Sequence, residues 1–388
     1  CFSMAVISAF IGAKGLGFNL LLALNQLNIG LALEAGLCIS LIAILLDKMS
    51  LAWANKQTDY FGNLTFFQRN KNVIFFAGSF VIGIILAYVG TFIFKGSFNY
   101  LFEIPHNKGI STADFWNKGV DWIFDTFFIY IKAFNTWLIQ DVLQPMRALY
   151  LRMPAVATLV LAVGAGYLIG GIRSAIVVAA LTLFIALSPW WDRALVTLYM
   201  ATFGVVISCL IGFTVGTLCF QNKKSAAFML GVCDIFQTFP SFVYLIPVMM
   251  LFGITDTSVL IAVIVYATIP ATRYTIEGLR SVPVGLHEAA TMSGVNKFQR
   301  LTKIEFPLAF PHMMLGLNQT IVFALFMVII GAFIGTEDLG QYILKALSDK
   351  NGAGIGLTLG ICVAFIGLIF DNLIRTWVEK RKKHLGIA

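Results

Sequence analysis

Charge is what this chain has least of. Asp, Glu, Lys and Arg make up 12% of its 388 residues, about half the ~25% of a soluble globular protein. That shortage excludes an ordinary water-facing surface. The pattern GxxxxGK[ST] is missing, which excludes ATP binding through a P-loop. The six cysteines include no CxxC pair and lie mostly in apolar runs, so they read as small buried hydrophobes. Four scattered histidines form no metal-ligand spacing; His287-Glu288 opens like HExxH, but Thr291 stands where the second histidine would be. No catalytic residue, cofactor or metal is therefore expected, and the chain is not read as an enzyme. The net charge of +8 is not gathered into a basic patch interleaved with aromatics, so nucleic acid is not an expected partner. The chain opens on Cys1 inside an apolar run, with no signal-peptide pattern. A longer polypeptide upstream is the expectation.

What the chain has is apolar length. Hydrophobic residues reach 59% and mean hydropathy is +0.86. Several runs exceed the ~18 residues needed to cross a bilayer. The fold class that follows is all-α: a polytopic transmembrane helical bundle. Spans are expected at about 30–47, 73–94, 154–170, 174–189, 193–219, 225–252, 258–279, 309–334 and 354–376, with a half span at 1–12. In residues 112–140 a stripe of Asp114, Lys118, Asp121, Asp125, Lys132 and Asn135 runs beside Trp116, Trp122, Phe127 and Trp137. That pattern predicts an amphipathic helix in the interface. With that helix not crossing, alternation puts most Lys and Arg, including the tail Arg375–Lys383, on one side. This is the bias of a cytoplasmic face, and it puts the C-terminus there.

An internal repeat divides the chain. Met4–Leu24 aligns without a gap to Met327–Leu347 and shares AFIG, Leu-Gly and Ala-Leu; then Gly30, Gly36, Cys38 and Asp47 keep register with Gly354, Gly360, Cys362 and Asp371. Chance apolar similarity does not hold Gly, Cys and Asp in step. Residues 1–48 thus read as the C-terminal tail of a first unit and 49–72 as a cytoplasmic linker. Residues 73–153 read as a span plus an extracytoplasmic or interfacial segment, 154–376 as a core transmembrane domain, and 377–388 as a basic cytoplasmic tail.

One polar stretch interrupts the spans: HEAATMSGVNKFQRLTKIEFP, 287–307. Ala289, Ala290, Ser293 and Gly294 would give a nearly bare helix face, approachable by another protein. Gly294 suits a left-handed turn, and Pro307 suits the start of the next helix. The result would be a short knob clamped between two membrane helices. The spacing of Glu288, Ala289, Ala290, Gly294, Ile304 and Pro307 resembles the EAA loop of ABC importer permeases, with Phe306 where Leu is usual. Together with Gln237–Ile254, Pro307–Thr320 and the GAFIG segment, it is similar to permeases of the glycine betaine/proline (quaternary ammonium) importers. This resemblance covers most of 154–376, and the repeat extends it to 1–48. A tandem arrangement departs from the usual single copy. The resemblance implies a type I importer fold in the bacterial inner membrane, and alternating access for compatible solutes such as glycine betaine, proline or choline. It also implies two copies of a cytoplasmic ABC ATPase, an extracytoplasmic solute-binding protein, and a second permease half from the same chain or a homodimer. Another small solute, an ATP-independent secondary transporter and a non-transporting scaffold or receptor stand as alternatives.

For the substrate path, Phe239 and Tyr244, with Phe236 and Phe242, are candidates for a transient aromatic cage around a quaternary ammonium; aromatic packing is the alternative. Asn318 and Gln319 could line the path or act as interhelical glue. Asp47 and Asp371 read as interface anchors, Asp234 as an anchor or a substrate contact, and Glu34 has no evident pair.

Overall fold

The computed structural model describes residues 13–26, 28–54, 71–93, 111–332, 335–349 and 351–384. Helices α1 (Leu16–Asn25) and α2 (Ile29–Ala54) come first, then α3 (Lys71–Ile93), α4 (Ala113–Trp137) and α5 (Gln144–Leu151). The central bundle is α6 (Ala155–Leu187), α7 (Trp191–Phe220), α8 (Lys223–Thr238), α9 (Phe242–Phe252) and α10 (Asp256–Arg280). The short α11 (Val284–Met292) and α12 (Lys297–Arg300) precede α13 (Phe306–Gly331), α14 (Leu339–Ser348) and α15 (Ala353–His384). No strand occurs among the described residues. Among the described residues, six helical stretches are long and apolar enough to cross a membrane.

Small residues set the bundle's register. A Cβ on Gly204 would fall 2.4 Å from Val263, one on Gly212 2.5 Å from Ala271, and one on Gly216 2.7 Å from Thr275. The contacts advance together along both helices, so α7 and α10 run parallel at backbone-to-backbone range. Such close approach is how helices associate where lipid removes the hydrophobic drive. Gly278 meets Ala309, Gly316 meets Tyr274 and Gly331 meets Val259, so α13 runs antiparallel to α10.

Parallel neighbours require a return crossing, and α8–α9 supplies it. Lys223 lies beside Arg280, Asp234 beside Arg273 and Tyr244 beside Tyr266. The stretch expected as one span at 225–252 does return along α10, but it bends by 91° between α8 and α9. The break falls at Phe239-Pro240-Ser241, where proline cannot continue the helical hydrogen bonding.

The two spans expected at 154–170 and 174–189 form one helical run, α6, interrupted at Gly171 (φ 72°, ψ −162°). There the chain folds sharply: a Cβ on Gly166 would lie 3.1 Å from Ala175 Cα, whereas a straight helix would separate the two by roughly 13 Å. The arm after the bend packs antiparallel to α15 through Ser174–Asn372 and Phe184–Phe365. Leu168, Leu187, Phe75 and Val156 remain exposed on the outer faces, as lipid contact allows. The core of Tyr199, Leu260, Val263, Ile276 and Met327 sits between α7, α10 and α13.

The region expected as an amphipathic helix at 112–140 is α4, continuing through a π turn at Leu138–Leu143. It packs on α2 and α9, and Asn135 Nδ2 donates to the Phe252 carbonyl at 3.1 Å. Glu34 accepts from Ser111 Oγ at 2.9 Å.

Candidate functional site

The polar stretch at 284–305 folds as two short helices joined by a turn. Helix α11 ends in a Schellman turn: Val295 N–H reaches Ala290 O at 3.1 Å, Gly294 N–H reaches Thr291 O at 3.1 Å, and Gly294 has φ 72°. Asn296 then caps α12, accepting from Gln299 N–H at 2.8 Å while the Gln299 side chain accepts from Asn296 N–H at 3.1 Å. This reciprocal capping box starts the second arm with no spare residue. The second arm runs through a π turn at Leu301–Glu305 into α13 without a break. Pro307 lacks the N–H an α-helix would use there, and the wider turn lies directly before it.

One carboxylate ties the arms together. Glu305 is 2% exposed; its Oε1 lies 3.1 Å from His287 Nδ1 on α11 and 2.9 Å from Arg300 Nε on α12. Burying a carboxylate is costly unless it is paired, and Arg300 with His287 stands where it offsets that cost. Nothing in the linear pattern marks Glu305 out, because its partners come from both sides of the turn.

The outward face differs from the bare one expected. Glu288, Ala289 and Gly294 are exposed, Ile304 and Pro307 are half-buried, but Ala290 is 4% exposed and turned inward. Its small side chain serves close packing of α11. In its place the loop shows water Val284, Met292 (90% exposed) and Phe298 (72% exposed). With the exposed Leu286, four large apolar side chains stand on an otherwise polar loop, the kind of patch that suits contact with another protein.

Above the loop, Arg273 on α10 bridges α8 to its own helix. Its Nη1 lies 2.7 Å from Asp234 Oδ1 and 2.8 Å from Gln237 Oε1, and its Nε 2.9 Å from Glu277 Oε1. Asp234 is thus a helix anchor. Next along α8 begins an aromatic ladder: Phe236 on Phe239 (centroids 5.9 Å apart), Phe236 on Tyr244 (5.9 Å), Tyr244 on Tyr266 (5.3 Å) and Tyr266 on Phe323 (4.8 Å). The Tyr244 hydroxyl donates to the Phe236 carbonyl across the α8–α9 bend. Phe239 and Tyr244 therefore each meet Phe236, and Tyr244, like Phe242, is buried. Gln319 is half-buried, one helical turn before Phe323 on α13. Asn318 points elsewhere: its Nδ2 donates to Asp371 Oδ1 at 2.7 Å, and Asp371 also accepts from Arg375 Nε at 2.8 Å. Its contact is interhelical glue between α13 and α15.

The opposite end carries a second charged cluster. Glu337 accepts from Arg147 Nη2 at 2.9 Å and from Arg193 Nη1 at 3.1 Å. Both guanidiniums hold its carboxyl below the usual range. Asp256 accepts from Tyr199 at 3.1 Å. Buried Asp338 caps α14 by accepting from Gln341 N–H at 3.0 Å.

The family described as binding-protein-dependent transport system inner membrane component matches residues 204–384, which contain the loop, the ladder and most of the bundle. The chain is 87% identical over its full length to a trimethylamine N-oxide transport system permease protein of Pelagibacter ubique, covering 54% of that protein. It is 39% identical over its full length to the corresponding protein of Ruegeria pomeroyi, covering 58% of it. With a glycine betaine/proline betaine transport system permease protein of Escherichia coli it shares 30% identity over 69% of the chain and 76% of the relative. The chain spans a little over half the length of the first two relatives.

Proposed function

We propose a function from one premise: the chain belongs to the family of binding-protein-dependent transport system inner membrane components. In this reading it is the greater part of the permease of an ATP-driven importer for a small methylated amine, trimethylamine N-oxide first, with glycine betaine as a chemical neighbour. The observation that carries the solute class is 87% identity, over the whole chain, to a permease named for trimethylamine N-oxide.

The loop end is the cytoplasmic end. Arg173, Lys223, Lys224, Arg280, Lys297 and Lys303 lie there, with the basic end of α15, as the positive-inside rule requires. A cytoplasmic ATPase grips Glu288, Ala289, Met292 and Phe298. Since the second arm is continuous with α13, a rigid-body movement of the ATPase passes into α13 with no flexible joint between. Glu305 makes the first arm move with it. Two such ATPase subunits, one for each permease half, and an extracytoplasmic solute-binding protein complete the machine. Alternating access follows from rocking the two halves. Along the path, the aromatic faces of Phe236, Phe239, Tyr244, Tyr266 and Phe323 attract the methylated nitrogen, and Gln319 offers an amide beside them.

The test is uptake of labelled trimethylamine N-oxide by cells expressing the full-length protein with its ATPase and binding protein. Uptake is expected to need ATP, and to drop at least tenfold in Met292→Ala/Phe298→Ala with the protein still in the membrane. Uptake that persists without ATP on an ion gradient would overturn the proposal. Uptake of glycine betaine alone would move the solute assignment and leave the coupling intact.

A further inference from the structure

The repeat allows one face of the molecule to be compared with itself. Helix α2 corresponds to α15 residue by residue: Ala32, Gly36, Ile39, Ser40 and Ala43 to Gly356, Gly360, Val363, Ala364 and Gly367. On α2 this stripe is buried, because α4 and α9 of the second unit lie against it. Gly36 sits so close to α9 that a Cβ there would fall 2.8 Å from Val243 Cγ2. On α15 the middle of the same stripe is uncovered: Gly360 and Ala364 are exposed, and Gly360 has nothing within 4 Å of where a Cβ would be, while Gly356, Val363 and Gly367 at its borders are half-buried.

The other face is reversed. Leu359, Cys362 and Ile366 of α15 are buried within their own unit, whereas their counterparts on α2 are half-buried Ala35, exposed Cys38 and exposed Ile42. So the last helix of each unit has two faces of different destination. One packs inside its own unit; the other packs on α9 of the opposite unit. Among the described residues α2 has the second contact and, from its own unit, only α1 beside it, while α15 has only the first.

We propose that the uncovered stripe of α15 centred on Gly360 is the seat of a second α9-like helix, supplied by the repeat unit that ends in α1 and α2. A second copy of this chain does not serve, because its own Val243 is already covered by its own Gly36. The occupant belongs to the same polypeptide as α2, and the relatives matched along the whole chain are nearly twice as long, which leaves room for it. The two contacts, α2 on α9 and α15 on the α9 counterpart, then form one interface with approximate two-fold symmetry. The inference rests on the repeat and not on transport, so a failed uptake assay would leave it standing.

The experiment places the photocrosslinking residue p-benzoylphenylalanine at exposed Leu357 or Ala364, beside Gly360, in the full-length protein in native membranes. Leu168, exposed on α6, is the control. Illumination is expected to join α15, within one polypeptide, to a peptide preceding α1 that aligns with Phe242–Phe252, in severalfold greater yield than from position 168. Only lipid adducts, as at 168, or adducts to α9 of another copy would overturn the proposal. A second measurement replaces each seat: Gly36→Leu and Gly360→Leu are expected to lower the detergent melting temperature by similar amounts. A Gly360→Leu variant as stable as wild type would count against it even if crosslinking failed for want of reach.

Discussion

Gly294 is the residue on which the loop's shape turns. Its φ of 72° belongs to the left-handed region, which costs other residues about 1–2 kcal/mol. The cost in Gly294→Ala falls on a surface turn, remote from the α7–α10–α13 core. Insertion and melting temperature are expected to stay near wild type, while ATPase activity of the reconstituted complex loses its coupling to transport severalfold. Measuring both separates a bent lever from an unfolded protein; a lost melting transition would sink this account. Asp338 is a different case. Burial pushes its carboxyl up to about 7, against the lowering effect of the Gln341 and Gly340 N–H groups. The folded protein therefore keeps a proton that the unfolded chain releases near the ordinary carboxylate value of ~4. Stability contributed by this site is full below that value and falls as pH rises towards 7. Asp338→Asn keeps a capping side chain and removes the titration. Its melting temperature is expected to fall less than that of wild type between pH 5 and pH 8, and parallel curves would show that the carboxyl is not the source.

At the scale of elements, glycines divide into those that hold helices together and those that do not. Gly212 lies where a Cβ would come 2.5 Å from Ala271 Cβ, whereas Gly231 on α8 has open space around it. Gly212→Leu is expected to cost about 1–3 kcal/mol by overpacking, or more where α7 and α10 are forced apart. Gly231→Ala is expected to be neutral or to stabilise by about 0.5–1 kcal/mol through helix propensity. Chemical or thermal denaturation in detergent separates them, and equal effects would contradict the parallel contact. Hydropathy made most of these elements legible, since a span's length and apolarity are local properties. The Gly294 turn was legible for the same reason: it needs one residue type at one place. The 91° break in α8–α9 was not, because a bent span has the same composition as a straight one. Nor was the inward turn of Ala290, or the pairing of Glu305 with His287 and Arg300. Each depends on which way an arm rotates after the turn, which no periodicity of so short a helix fixes. Asn318 and Gln319, adjacent in sequence, part company because neighbours on a helix point about 100° apart. One meets Asp371 on α15; the other stays near Phe323.

At the scale of the whole molecule, the bundle is polar in the electrical sense. Its loop end carries Arg173, Lys223, Lys224, Lys297 and Lys303, while the far end holds Asp256 and Glu337 in contact with Arg147 and Arg193, and the buried cap Asp338 next to Glu337 in sequence. The two ends are also mechanically unlike. The loop end concentrates its rigidity in the helix from Lys297 to Gly331, a lever continuous with the α13 that packs on α10. The far end fastens α5, α7 and α10 to the segment before α14 through Glu337 and Asp256. On the proposed reading, a force applied at Met292 and Phe298 is carried along α13 towards the far end, and the ion pairs of Glu337 there would have to give for the bundle to open. This predicts both sidedness and coupling in one experiment. In a cysteine-free background, Met292→Cys is expected to react with a membrane-impermeant maleimide only in inside-out vesicles, and Glu337→Cys only in right-side-out ones. Adding ATP and the partner ATPase should slow labelling at position 292, where the partner seats. Labelling of a second far-end reporter, Lys345→Cys, which leaves the Glu337 ion pairs intact, should quicken as that end opens. Labelling of Met292→Cys from the outside would remove the lever, and an unchanged rate at Lys345→Cys with a protected Met292→Cys would show that the loop binds its partner without driving the bundle.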